Sequence, residues 1–79
     1  MTYEMFIYVL ETDPRTLFIE DDNLGCDLEV KDASSIKKYQ DKVVITWDAD
    51  GIEATVFAGK DGEADYQLRK LLVMTVANL

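Results

Sequence analysis

The chain has 79 residues, 48% of them apolar, and carries 16 acidic against 8 basic residues and no histidine, for a net charge of −8. This length predicts one domain, residues 1–79, with a small core of its own. The acidity excludes the usual nucleic-acid-binding protein, which needs a basic surface to replace counterions. The missing histidine excludes a serine or cysteine nucleophile activated by imidazole, and any zinc site with a histidine ligand.

The lone cysteine, Cys26, excludes an internal disulfide and any multi-cysteine metal site. An unpaired thiol fits a reducing compartment better than a secreted protein. Residues 1–10 are apolar but include Glu4 and lack the basic lead-in and cleavage site of an export signal. No apolar run reaches the ~18 residues of a membrane span. We therefore expect a cytoplasmic protein.

Residues 3–20 predict a β-hairpin. Residues 3–10 are β-branched, aromatic and apolar on both alternating faces, which is typical of a central strand. Asp13 and Pro14 indicate a turn, and residues 16–20 return as a second strand.

Residues 26–30 alternate between apolar and acidic side chains, which predicts a half-buried strand near a sheet edge. The expected inward side chains are Cys26, Leu28 and Val30, and the expected outward side chains are Asp27 and Glu29. Residues 36–40 follow several possible N-cap residues and predict a short helical turn.

Residues 42–48 predict another strand, with Val43, Ile45 and Trp47 on one face, where we expect Trp47 to be buried in the core. Asp50 and Gly51 form a strong hairpin signal before a strand at 52–58.

After a turn at 59–62, apolar residues recur at helical spacing from Ala64 to the end of the sequence, which favours a C-terminal helix. A strand is the alternative, because residues 72–76 also have β character. The predicted fold is therefore α+β: a four- to five-stranded antiparallel sheet with a C-terminal helix packed on one face.

No segment completes a metal or catalytic motif. Residues 48–53 resemble part of a calcium loop, but with Gly51 at the sixth position the twelfth is Phe57 instead of glutamate. Residues 21–27 place Leu24 where an oxygen ligand belongs. Cys26 is expected to be a small buried hydrophobe. We expect no enzyme, no catalytic residue, no metal and no cofactor.

The acidic residues are concentrated in two segments. The first spans 20–32 and the second spans 48–65, and each contains a single lysine. Together they hold twelve acids, which we predict to bind a partner: Glu20, Asp21, Asp22, Asp27, Glu29, Asp32, Asp48, Asp50, Glu53, Asp61, Glu63 and Asp65. Carboxylates two residues apart on a strand lie ~6.6 Å apart on one face, which roughly matches every second phosphate along a duplex strand. The alternative interpretation is a solvated acidic surface that serves only solubility.

Eight aromatic residues and a first strand that is apolar on both faces also indicate a partner, because one helix covers only one face of a small sheet.

In size and charge the chain is similar to anti-CRISPR inhibitors of phages and to nuclease immunity proteins, although no motif is shared. We expect a non-enzymatic inhibitor that engages a basic nucleic-acid-binding or nuclease surface of a partner protein by imitating phosphate charge, without contacting nucleic acid or membrane. The alternative is a homo-oligomeric interaction module, such as a homodimer.

Overall fold

The computed structural model of the chain describes residues 1–21 and 26–71, with the backbone alone for Asp21, Cys26 and Asp27. One N-terminal helix precedes a two-stranded ribbon and a four-stranded sheet. The elements are α1 (Tyr3–Thr12), β1 (Phe18–Asp21), β2 (Cys26–Glu29), β3 (Ser35–Lys38), β4 (Lys42–Trp47), β5 (Ile52–Ala58) and β6 (Ala64–Lys70). The prediction of a C-terminal helix on one sheet is therefore wrong, because the helix lies at the N-terminal end.

Helix α1 replaces the strand predicted for residues 3–10. Thr2 caps the helix, since its Oγ1 accepts a hydrogen bond from the backbone N–H of Met5 (3.1 Å). Phe6 and Leu10 lie one turn apart and are buried, whereas Tyr8 on the opposite face is 68% exposed. The apolar residues thus follow a helical period, and residues 3–20 do not form a hairpin.

Strand β1 pairs with β2 in an antiparallel ribbon, in which Ile19 lies opposite Leu28. Both of these side chains are buried, as is Val30 just after β2. The predicted strand at 26–30 is confirmed over Cys26–Glu29. The inward orientation predicted for the Cys26 side chain lies outside the described residues.

The four-stranded sheet is antiparallel throughout, with the order β3-β4-β5-β6. The predicted hairpin at residues 48–51 is confirmed, and Gly51 has a φ of 63°, which glycine adopts without strain. The alternating burial of β4 and β5 is also confirmed. Their buried side chains are Val43, Ile45, Trp47, Ile52, Ala54 and Val56.

Two further segments differ from their predicted structure. Residues 35–38 form strand β3 on the edge of β4 where a helical turn was expected. Residues 64–70 form strand β6, which pairs with β5 over seven residues where a helix was expected. In both cases a neighbouring strand provides backbone N–H and C=O groups for hydrogen bonds. This pairing is more favourable than the helix that the local spacing of apolar residues indicates. The rest of the expected C-terminal helix, residues 72–79, lies outside the described residues.

The core lies between the four-stranded sheet on one side and α1 with the ribbon on the other. The sheet contributes the inward residues of β4 and β5, and α1 contributes Phe6 and Leu10. The ribbon and the residues that flank it contribute Leu17, Ile19, Leu28 and Val30. Among the described residues, no helix is long and apolar enough to cross a membrane.

Candidate acidic binding site

A hollow of about 300 Å³ opens where the ribbon meets the β4–β5 turn. We call it the acidic pocket, and its lining residues are Phe18, Leu28, Glu29, Asp32, Trp47 and Asp50. Leu28 and Trp47 are buried and form the apolar base, while Phe18 is 50% exposed. Three carboxylates, two from residues 29–32 and one from the β4–β5 turn, therefore border one concavity with an apolar base.

Hydrogen bonds fix the walls of the acidic pocket. The buried Trp47 indole donates from Nε1 to the backbone carbonyl of Glu29 (2.8 Å), which joins β4 to the ribbon. Ser34 donates its backbone N–H to the Thr46 carbonyl (2.7 Å), and its Oγ accepts from the backbone N–H of Asp48 (3.0 Å). The segment after β2 and the β4–β5 turn are thus tied to each other.

The charge of the acidic pocket is only partly compensated. Glu29 forms an ion pair with Lys31 at 3.7 Å between Oε2 and Nζ. Asp32 and Asp50 form no ion pair with any residue that the structure describes. The exposed Asp48 lies in the same turn as Asp50. These carboxylates can accept hydrogen bonds from a cationic donor brought in by another molecule.

The remaining acids of the first predicted segment lie along the ribbon. Glu20 is exposed on β1, opposite Asp27 in the register. Asp21 lies opposite Cys26 at the end of the ribbon. The side chains of Asp21 and Asp27, and the whole of Asp22, lie outside the described residues.

The second predicted segment is divided between the two ends of the sheet. Asp48 and Asp50 lie at the β4–β5 turn, whereas Asp61 and Glu63 lie at the β5–β6 turn. Strand β5 separates these turns by about 20 Å. At the far end, the carboxylate of Glu63 pairs with the N-terminal ammonium (3.0 Å), and Asp61 accepts from the Glu63 backbone N–H (3.0 Å). The two acidic segments therefore do not form one continuous surface.

Glu53 and Asp65 lie within strands. Glu53 on β5 accepts from Arg69 on β6 (Oε1–Nη2 2.9 Å), which matches their positions opposite each other in the register. Asp65 is exposed on β6, opposite Phe57. Glu53 is thus neutralised within the chain, while Asp65 faces solvent.

Two aromatic residues of the acidic pocket were not predicted as site residues. Trp47 was expected in the core, and its burial is confirmed, but the sequence did not place its indole under a carboxylate cluster. Phe18 was read as part of a strand without an assigned face. The alternation of Leu17 and Ile19, both buried, around an exposed Phe18 is the sequence signal that would have identified it.

Within the described residues, no group of three or more acidic or cysteine side chains is arranged to hold a metal ion. Comparisons with protein families, with curated proteins and with solved structures found no match to this chain.

Proposed function

We propose that the protein is a small non-enzymatic inhibitor that binds a basic surface of a partner protein, of the kind that holds nucleic acid in a nuclease or other nucleic-acid-binding protein. The observation that supports this proposal is the acidic pocket. Glu29 and Asp32, which lie close together in sequence, and Asp50 in the β4–β5 turn border one hollow next to the exposed ring of Phe18. By occupying a basic groove, the carboxylates would exclude the phosphates that the groove normally contacts.

The chemistry of the acidic pocket suits an arginine or lysine side chain of the partner. A guanidinium group can donate two parallel hydrogen bonds to one carboxylate, which favours arginine at Asp32 or Asp50. The face of Phe18 can add a cation–π contact. The buried base of the pocket would contact the aliphatic part of the same side chain.

The acids outside the acidic pocket would act at long range. A net charge of −8 accelerates the approach of a basic partner, and this contribution weakens as salt is added. Glu53 and Glu63 are already paired within the chain and would contribute to this field more than to direct contacts. Such an encounter would take place in the cytoplasm, where Cys26 would remain reduced.

A homo-oligomeric module is the second candidate function. The observation that favours it is the outer face of α1, where Met5 and Tyr8 are both more than half exposed. A second copy could cover these side chains, with the acidity then serving only solubility.

The experiment compares two variants with the same net charge. Asp32→Asn with Asp50→Asn removes the unpaired carboxylates of the acidic pocket, and Asp61→Asn with Asp65→Asn removes two carboxylates elsewhere on the sheet. Each double variant carries −6, since two charges are removed from −8. A basic protein captured from the native host and then purified is titrated with each variant between about 50 and about 300 mM salt.

We expect the acidic-pocket variant to bind at least about tenfold more weakly, a difference of about 1.4 kcal/mol. The control variant, Asp61→Asn with Asp65→Asn, should bind only slightly more weakly than wild type, because it loses long-range attraction and no direct contact. Equal affinities for the two variants, or wild-type binding that salt does not weaken, would contradict the proposal. A chain that sediments as a dimer and captures no basic protein would favour the oligomeric module.

A further inference from the structure

A second hollow, of about 290 Å³, lies between β1 and β6 and is called the edge groove. It is lined mainly by apolar side chains, among them Met1, Phe6, Leu17, Phe18 and Tyr66. Met1, Phe18 and Tyr66 are between 41% and 58% exposed, although large apolar side chains are normally covered. Three exposed hydrophobic residues on one groove indicate a surface that another segment covers.

Strand β6 presents an open backbone edge to this groove. The Leu71 N–H donates to Gly51, and the Gly59 N–H donates to Glu63, so the odd-numbered residues of β6 hydrogen-bond to β5. Because hydrogen-bonded and non-bonded pairs alternate along an antiparallel ladder, the even-numbered residues turn their N–H and C=O groups outward.

The N-terminal residues use the first part of that outward edge. The Ala64 N–H donates to the Met1 carbonyl, and the Tyr3 N–H donates to the Gly62 carbonyl (both 2.9 Å). The outward groups of Tyr66 and Leu68 have no backbone partner within the described part of the chain.

Strand β1 presents a second open edge on the other side of the same groove. The Val30 N–H donates to the Leu17 carbonyl (3.1 Å), which makes this pair hydrogen-bonded. By the same alternation, Phe18 and Glu20 turn their N–H and C=O groups away from β2. Both residues line the edge groove, and β2 is the sole partner of β1 among the described strands.

We propose that the edge groove receives an extended segment of a partner protein, which pairs with the open edges of β1 and β6 and joins the ribbon to the sheet. Two rows of backbone groups that pair with none of the described residues, on either side of an apolar groove, specify a β-strand more closely than any other occupant. The side chains on one face of the segment would cover Leu17 and Tyr66 on the core side of the groove, and those on the other face would lie beside Phe18 and Glu20. This surface is separate from the acidic pocket, apart from Phe18, and does not depend on the function proposed above.

The negative charge near the edge groove indicates which other side chains the partner segment carries. Glu20 is the one side chain with a formal charge that lines the described groove, and the nearby N-terminal ammonium is already paired with Glu63. The whole chain carries −8. The segment should therefore alternate apolar residues with lysine or arginine, so that its second face meets an acidic surface. A second copy of this acidic chain would lack that complementarity.

The test uses a capped synthetic peptide of alternating valine and lysine, roughly six residues long to match the open edges. Amide hydrogen exchange is followed by NMR in the full chain. Without peptide, the outward amides of Phe18, Glu20, Tyr66 and Leu68 should exchange rapidly, while the amide of Gln67, bonded to β5, is protected. Saturating peptide should slow the outward amides about tenfold or more.

Two matched comparisons show whether the backbone edges are used. Tyr66→Pro and Tyr66→Ala both remove the ring, but only proline removes the outward N–H, which an edge strand tolerates. Proline should weaken peptide binding about tenfold relative to alanine. With wild-type protein, peptides N-methylated at even or at odd positions each block one edge, so both should bind more weakly than the parent peptide. This second comparison remains valid if Tyr66→Pro fails to fold.

Three results would overturn the inference. Outward amides that are already protected in the free monomer would mean that the chain covers its own edges. Protection that rises with protein concentration alone would assign the groove to a second copy. Unchanged exchange at millimolar peptide would show that neither edge accepts a strand.

Discussion

Trp47 lies at the junction between the ribbon and the four-stranded sheet. It is 2% exposed, and its Nε1–H donates to the Glu29 carbonyl at 2.8 Å. Glu29 lies opposite Phe18 at a non-bonded position of the ribbon, so its carbonyl has no ladder partner on β1. Replacing Trp47 therefore removes both core volume and the described hydrogen-bond donor of that carbonyl.

Two substitutions separate these contributions to the free energy of unfolding. Trp47→Phe keeps an aromatic ring but removes the hydrogen bond to the partly buried Glu29 carbonyl, which costs about 0.5–1.5 kcal/mol, with about 1 kcal/mol more for the smaller apolar area. Trp47→Ala also leaves a cavity, and costs about 3–5 kcal/mol. A domain of this size has a net stability of only about 5 kcal/mol, so the alanine variant should retain about 0–2 kcal/mol and unfold at a much lower urea concentration than wild type.

The assay is urea unfolding followed by far-UV circular dichroism, because Trp47 is the single tryptophan and its fluorescence is lost on substitution. Tyr8→Ala serves as the control, since this exposed side chain should change stability by less than about 0.5 kcal/mol. A Trp47→Phe variant as stable as wild type would refute the claim that the indole N–H joins the two sheets. A folded Trp47→Ala variant that no longer binds its partner would instead place the indole in an interface.

Two further predictions concern ionisation and backbone conformation. Burial, and secondarily the charge of Asp41, raise the pKa of Tyr3 above its usual 10.0. The folded state therefore holds the Tyr3 proton more tightly than the unfolded state does. The contribution of Tyr3 to the free energy of unfolding should be complete below pH 10 and should decline as pH rises through the folded pKa. Urea unfolding measured from below pH 10 upward should show a smaller decline for Tyr3→Phe than for wild type. Gly62 has a φ of 83° with open space around the missing Cβ, so Gly62→Ala should cost about 1–2 kcal/mol from backbone strain alone. Gly62→Asn should cost less, because asparagine tolerates a left-handed conformation, and equal unfolding midpoints for the two variants would contradict this reasoning.

For the predicted acidic site, closeness in sequence does not correspond to closeness in the fold. Asp50 and Asp61 belong to one acidic segment, yet they lie at opposite ends of β5. Glu29 and Asp50 are twenty-one positions apart and line the same hollow. The edge groove could not be found in the sequence at all, because open edges exist only once strand order and hydrogen-bond parity are known.

Local patterns determined the central hairpin. The strict alternation in β4 and β5 and the Asp50-Gly51 turn specify two paired strands with one buried face, because an extended chain points successive side chains to opposite sides. The sequence also determined the acidity and the position of Glu20 on a strand. Tertiary structure decided the conformation of the first and last elements, α1 and β6. Residues 3–12 carry apolar side chains that suit either period, and the Thr2 cap with burial of Phe6 and Leu10 selects a helix. Residues 64–70 have helical spacing, but pairing with β5 satisfies the backbone of both strands, and this long-range contact overrides a weak local preference.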